Sequence, residues 1–169
     1  DGTFIDTVSA GPLPDMVTFS RDGTKVLVAN EGEPNDDFTV NPEGSVTIID
    51  ISNGPASATT KTLGFSDFNT PSERARLLDE GVKLLPTDVV SSVAQDLEPE
   101  YITVSPDSTT AFVILQDNNA LAVIDLATET ITALKGLGVK NYNADGNAFD
   151  PSNRVDQLLM ANYPVFGLY

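Results

Sequence analysis

Cysteine is absent from the 169 residues, so no disulfide, iron–sulfur cluster or thiolate site can form within the chain. That absence does not argue against export, because many exported bacterial proteins lack disulfides. Histidine is absent too, which removes the commonest general base and the commonest ligand for zinc or copper. Any metal must be held by oxygen, and oxygen ligands favour calcium or magnesium. No organic cofactor motif is present: the one G-x-x-x-x-G-like spacing lacks the Lys-Ser/Thr of a phosphate loop. Apolar runs are short, and none approaches the ~20 residues of a membrane helix. Positive charge is scarce as well. Only 9 basic residues stand against 25 acidic ones, a net charge of −16. Such a surface repels nucleic acid and anionic membrane and attracts cations, so neither nucleic acid nor membrane insertion is expected. Hydrophobic residues nevertheless make up 40%, enough for a folded core. The chain starts at Asp1, not Met, and reads as a processed product or a piece of a longer chain.

What is present is a duplication. PDMVTFSRDGTKVLVANE, residues 14–31, aligns with PEYITVSPDSTTAFVILQ, residues 99–116. The match resumes in GSVTIIDIS from Gly44 and NALAVIDLA from Asn119. Between the matched parts the first copy carries the long loop EGEPNDDFTVNPEG, residues 31–44, where the second has only QDNN. Each copy reads as a four-stranded meander. Its strands A to D are MVTFS, KVLVAN, SVTIID and ATTKTL in the first, and YITVS, TAFVIL, ALAVID and TITAL in the second. The runs are short, β-branched and separated by Asp-, Ser- and Gly-rich turns, which favours strands over helices. Repeats of roughly 40 residues with this content point to propeller blades. The apolar content of strands B and C predicts burial on both faces. FIDTV near the start is expected to be the last strand of a preceding blade.

The expected fold is therefore all-β, a β-propeller fragment of about two four-stranded antiparallel blades with a short helical insertion. Residues 14–65 form the first blade, 66–96 the insertion, 97–135 the second blade, and 136–169 an Asn/Asp-rich loop leading into a third. Within the insertion, TPSERARLLDEG carries helix punctuation: Thr70 as N-cap, Pro71 at the first helical position, Glu73 completing a capping box, and Gly81 as the stop. Known propellers have about four to eight blades. Two blades are thus expected to join the remainder of a longer propeller chain, or other copies of themselves through open blade edges.

Meander parity puts the B–C loops and the links between blades on one face of the disc, with strand A innermost. Glu31, Glu33, Asp36 and Asp37 of the long loop then share a rim with Glu98 and Glu100 of DLEPE and with Asp15. Asp15 and Glu100 hold equivalent repeat positions. No Lys or Arg falls in those loops. Clustered carboxylates without counter-charge predict a calcium site built from the loop with Asp15, or with Glu98 and Glu100. The plainer reading is a solvated acidic surface. NYNADGNAFDPSNRVD, residues 141–156, starts like a calcium loop at Asn141, Asn143, Asp145 and Gly146 but has Ser152 where the bidentate Glu belongs. It reads first as an ordinary turn, with Asp145, Asp150 and Asp156 as secondary metal candidates. No nucleophile stands beside a base, so catalytic residues are unassigned.

Taken together, LPDMVTFSRDGTKVLVANEGEPND, PEGSVTIIDIS, SVAQDLEPEYITVSPD, NNALAVIDLAT and NYPVFGLY resemble the choice-of-anchor I family. These are exported, YVTN-type propellers similar to the mesenchyme-specific cell-surface glycoprotein of biomineralising animals. The resemblance covers most of the chain apart from the helical insertion and part of the Asn/Asp-rich tail. It departs at YPV, where an aromatic-Pro-Val of the Trp type is expected. It implies an extracellular or cell-surface location and a role in adhesion, matrix or mineral interaction, with matrix, mineral or phosphate as ligand. Some relatives are labelled alkaline phosphatase-like or phytase-like, so a calcium-dependent phosphoesterase is the alternative. The resemblance carries over no catalytic residue.

Overall fold

The computed structural model describes residues 2–37, 39–88, 92–152, 154 and 157–168. Its body is two four-stranded antiparallel meanders of the propeller-blade type. The first runs β1 (Pro14–Phe19), β2 (Lys25–Asn30), β3 (Ser45–Asp50) and β4 (Thr59–Gly64). The second runs β5 (Tyr101–Val104), β6 (Thr110–Leu115), β7 (Ala120–Asp125) and β8 (Thr130–Gly136). In each sheet the strands lie in sequence order, as the duplication requires.

The A–B hairpins are closed by the same device in both copies. Asp22 accepts hydrogen bonds from the Ser20 hydroxyl (2.6 Å), the Thr24 amide (3.0 Å) and the Thr24 hydroxyl (2.9 Å). Asp107 does the same with the Ser105 hydroxyl (2.6 Å) and the Thr109 amide and hydroxyl (3.1 and 2.8 Å). Both carboxyls are held below the usual range, chiefly by the serine hydroxyl. Asx turns of this kind fix the register before any sheet packs on another.

Register sets which side chains face inward. Leu27, Ala29, Val46, Ile48 and Leu63 of the first sheet share one buried cluster with Ile102, Val104, Ala111, Val113 and Ile124 of the second. At the far end the two sheets are tied by Lys25, whose Nζ reaches Glu129 (2.6 Å) and Asp50 (3.3 Å), and by the Asp22 amide donating to Ser108 (3.0 Å). Burial of β2 and β3 on both faces holds for four consecutive residues in each, Leu27–Asn30 and Ser45–Ile48. In β6 and β7 burial alternates instead, because among the described residues nothing packs fully on the outward face of the second sheet. FIDTV is a second correction. Residues 4–8 form no strand and are exposed.

Helix α1 (Pro71–Asp79) starts where the punctuation put it. Thr70 accepts from the Glu73 amide (3.2 Å), but the Glu73 carboxylate pairs with Arg76 (2.8 Å) and leaves the capping box half formed. Gly81 closes the helix with φ of 85°. Leu77 is buried, and Arg76 donates to the Leu134 carbonyl (3.3 Å), so the helix docks on β8. A separate two-stranded sheet, β9 (Val139–Asn141) with β10 (Phe166–Leu168), follows the second blade. No described helix is long and apolar enough to cross a membrane.

Candidate functional site

Three segments meet at the near end of the sheets: the loop after β2, the stretch 94–100 before β5, and the turn 116–119 between β6 and β7. The acid loop is pinned at its base. The Gly44 amide donates to the Ala94 carbonyl (3.1 Å), and Gln95 Nε2 donates to the Asn41 carbonyl (2.7 Å). This close approach requires glycine, because a Cβ at Gly44 would lie 1.9 Å from the Leu97 carbonyl oxygen and 2.7 Å from Pro99. Asn118, almost wholly buried, ties the other two segments. Its amide donates to the carbonyls of Asp96 (2.6 Å) and Lys83 (3.2 Å), and its oxygen accepts the Glu98 amide (2.9 Å). Glu100 accepts the Asp117 amide (3.2 Å).

The geometry brings Asp15, Glu31, Glu33, Glu98 and Glu100 together, and it adds Asp117 and Asp96. Burial raises the Glu31 carboxyl, and repulsion from Glu33, Asp15, Glu100 and Asp117 raises it further. Glu98 is pushed up to about 7, first by burial and then by Asp117, Glu31, Glu33 and Asp96. Asp96 is raised by burial, against the Leu85 amide and the charges of Arg74 and Lys83. The leading charges on Glu31 and Glu98 are all carboxylates, and among the described residues none of these acids forms an ion pair.

The other candidates fall elsewhere. Asp36 and Asp37 sit exposed in a projecting turn and are not among the leading charges on Glu31 or Glu98. Asp145 is exposed in its turn. Asp150 uses its carboxylate on backbone, accepting from Ser152 (3.1 Å) and Leu159 (3.1 Å). Asp156 lies outside the described residues. Asp117 was within reach of sequence reasoning, since the QDNN turn shares the rim by parity. Asn118 carried no such signal.

Among the described residues, no three acidic side chains already stand at metal-binding spacing. The rim is a field of negative charge, not a finished coordination cage. Two grooves lie apart from it. One of about 260 Å³ is lined by Lys61, Phe68 and Glu129, and one of about 220 Å³ by Met16, Arg21 and Tyr101.

Burial of Glu98, reinforced by charge repulsion at the rim, has a measurable consequence. Glu98 titrates near 4.5 when unfolded and near 7 when folded. Between those values the native state holds a proton that the unfolded chain has released, so stability falls as pH rises through the window. Asp50, held at about 2 chiefly by the Ser52 hydroxyl, titrates well below it. In EDTA, the urea midpoint is expected to be lower at about pH 7.5 than at about pH 5.5, and Glu98→Gln is expected to flatten the difference. A midpoint that rises with pH over this range contradicts the assignment.

Fold and rim together define an acidic propeller-blade pair with one strongly electronegative edge. The sequence profile of the choice-of-anchor I domain matches residues 1–169, and the chain belongs to that family. Membership points to an extracellular protein connected with surface anchoring. No curated protein matches the chain.

Proposed function

We propose that the near-end rim binds calcium and that this exported or cell-surface protein uses the loaded rim in adhesion or in matrix or mineral interaction. One observation carries the reading. Carboxylates from three separate segments converge without counter-charge, and burial and mutual repulsion raise Glu31 and Glu98. A cation relieves that repulsion directly. The donor set fits calcium, which takes six to eight oxygens in flexible geometry at about 2.3–2.6 Å, better than magnesium with its strict octahedron. Glu31, Glu33, Glu98 and Asp117 would hold the ion, with Glu100 and Asp15 at its margin. Asn41 Oδ1, buried and without a hydrogen-bond partner, is a further uncommitted oxygen on the acid loop. Since the acids are not at ligand spacing, binding draws the loop and the DLEPE stretch together.

The phosphoesterase alternative needs cationic side chains to grip phosphate oxygens. Arg76 is committed to Glu73, Glu80 and the Leu134 carbonyl, and Arg74 donates to the Leu85 carbonyl (2.5 Å). Binding is therefore the better-supported function.

Calorimetry on EDTA-stripped protein at about pH 7.5 tests it, with melting in parallel. Calcium is expected to bind with a measurable heat and to raise Tm, and both effects are expected to vanish in Glu31→Gln/Glu98→Gln. No heat and no change in melting overturn the proposal. Calcium-dependent turnover of p-nitrophenyl phosphate, lost in the same variant, would replace binding with hydrolysis.

A further inference from the structure

Asp–Gly and Asn–Gly pairs are among the most reactive linkages of any chain, because glycine has no side chain to shield its amide nitrogen from the preceding side-chain carbonyl carbon. Among the described residues three such pairs occur, Asp22–Gly23, Asn53–Gly54 and Asp145–Gly146, each in a turn. Their surroundings differ. The Gly23 amide donates to the Ser20 carbonyl (3.0 Å), and the Asp22 carboxylate is clasped by Ser20 and Thr24. The Gly54 amide donates to the Ile51 carbonyl (2.9 Å). Among the described residues, neither the Gly146 amide nor the Asp145 carboxylate makes a hydrogen bond. Both residues are exposed, and a Cβ at Gly146 would meet nothing within 4 Å. The flanks of this turn are held instead. The Ala144 carbonyl accepts from Asn162 Nδ2 (2.6 Å) and from the Asn147 amide (3.1 Å), and Asn147 Nδ2 donates to the Asn141 carbonyl (2.8 Å). Only the tip between them is uncommitted.

We propose that Asp145 is a site of spontaneous isoaspartate formation. The Gly146 nitrogen attacks the Cγ carbon of the protonated Asp145 carboxyl and closes a succinimide ring. The nitrogen gives up its proton and the carboxyl its hydroxyl, which leave together as water. Water then adds at the main-chain carbonyl carbon of the ring and the C–N bond there breaks, so the chain continues through the side chain. One water leaves and one returns, so mass is unchanged, and neither oxidant nor calcium is needed. The product has one more carbon in its main chain and a free α-carboxylate, the substrate class of isoaspartyl carboxyl methyltransferases. That extra carbon is expected to stretch the hydrogen bond between Asn147 and the Ala144 carbonyl.

Prolonged incubation of the 169-residue chain in mildly acidic buffer with EDTA, folded and in parallel unfolded in guanidinium chloride, tests the proposal. Isoaspartate is located by electron-transfer fragmentation of the peptides and quantified by enzymatic methyl transfer from S-adenosylmethionine. In the folded protein it is expected to accumulate several-fold faster at Asp145 than at Asp22. In guanidinium the two rates are expected to converge, because the clasp from Ser20 and Thr24 is gone. Asp145→Glu is expected to remove the signal at that position, since the larger ring closes far more slowly. Deamidation at Asn53 changes the mass and is counted apart. Folded protein without isoaspartate at Asp145 over the time in which the unfolded chain forms it, or with equal rates at Asp22 and Asp145, overturns the proposal.

Discussion

Gly44→Ala is expected to destabilise the protein by about 3 kcal/mol, the upper end for inserting an extra methyl into a tight site. That corresponds to a fall in Tm of about 6–12 °C for a chain of this size. The cause is geometric. The new methyl would sit 1.9 Å from the Leu97 carbonyl oxygen, and the nearest obstacles are backbone and a proline ring, which cannot rotate away. The acid loop must lift off the 94–99 stretch, losing the Gly44–Ala94 hydrogen bond as it does so. Urea unfolding checks the effect. A change within about 0.5 kcal/mol, the usual range for surface substitutions, contradicts the close approach.

Asn118→Ala is expected to cost about 3–5 kcal/mol through a different cause. The side chain satisfies three backbone groups at once: the Glu98 amide and the carbonyls of Asp96 and Lys83. A buried backbone group left unpaired costs about 1–3 kcal/mol, and the shallower ones recover some of that from water. Hydrogen exchange supplies the local readout. The Glu98 amide is expected to lose protection disproportionately, whereas the amides of β7 should follow only the global loss. Equal loss at both positions would mean that Asn118 acts as generic core packing and does not bind the rim segments together.

The extent to which the sequence revealed this arrangement varies by element, for physical reasons. β2, β3, β6 and β7 were legible to the residue, because β-branched runs bounded by Asp, Asn and Gly have few other conformations. Helix α1 was legible from Thr70 and Pro71, which act through local backbone chemistry. Glu31 and Glu33 could not be told from Asp36 and Asp37 by composition. The difference is distance from the sheet: the loop ends are pulled in beside Gly44, while its tip projects into solvent. Asn118 was invisible because its role exists only once residues 83, 96 and 98 converge. Asp150, a secondary metal candidate by sequence, accepts the amides of Ser152 and Leu159, backbone contacts that composition does not announce. FIDTV failed for the converse reason. A strand-like sequence becomes a strand only through the pairing it makes, and residues 4–8 make none.

Strict sequence order within each sheet bears on how the chain reaches its native state. In the two four-stranded sheets every strand partner is the next strand along, so zipping needs only local loop closures, whose entropy grows slowly with length. The second sheet has three tight connections, one of them clasped by Asp107, whereas the first must close over residues 31–44. Assembly is thus easier to initiate in the C-terminal half, with the acidic excursion settling onto an already formed neighbour.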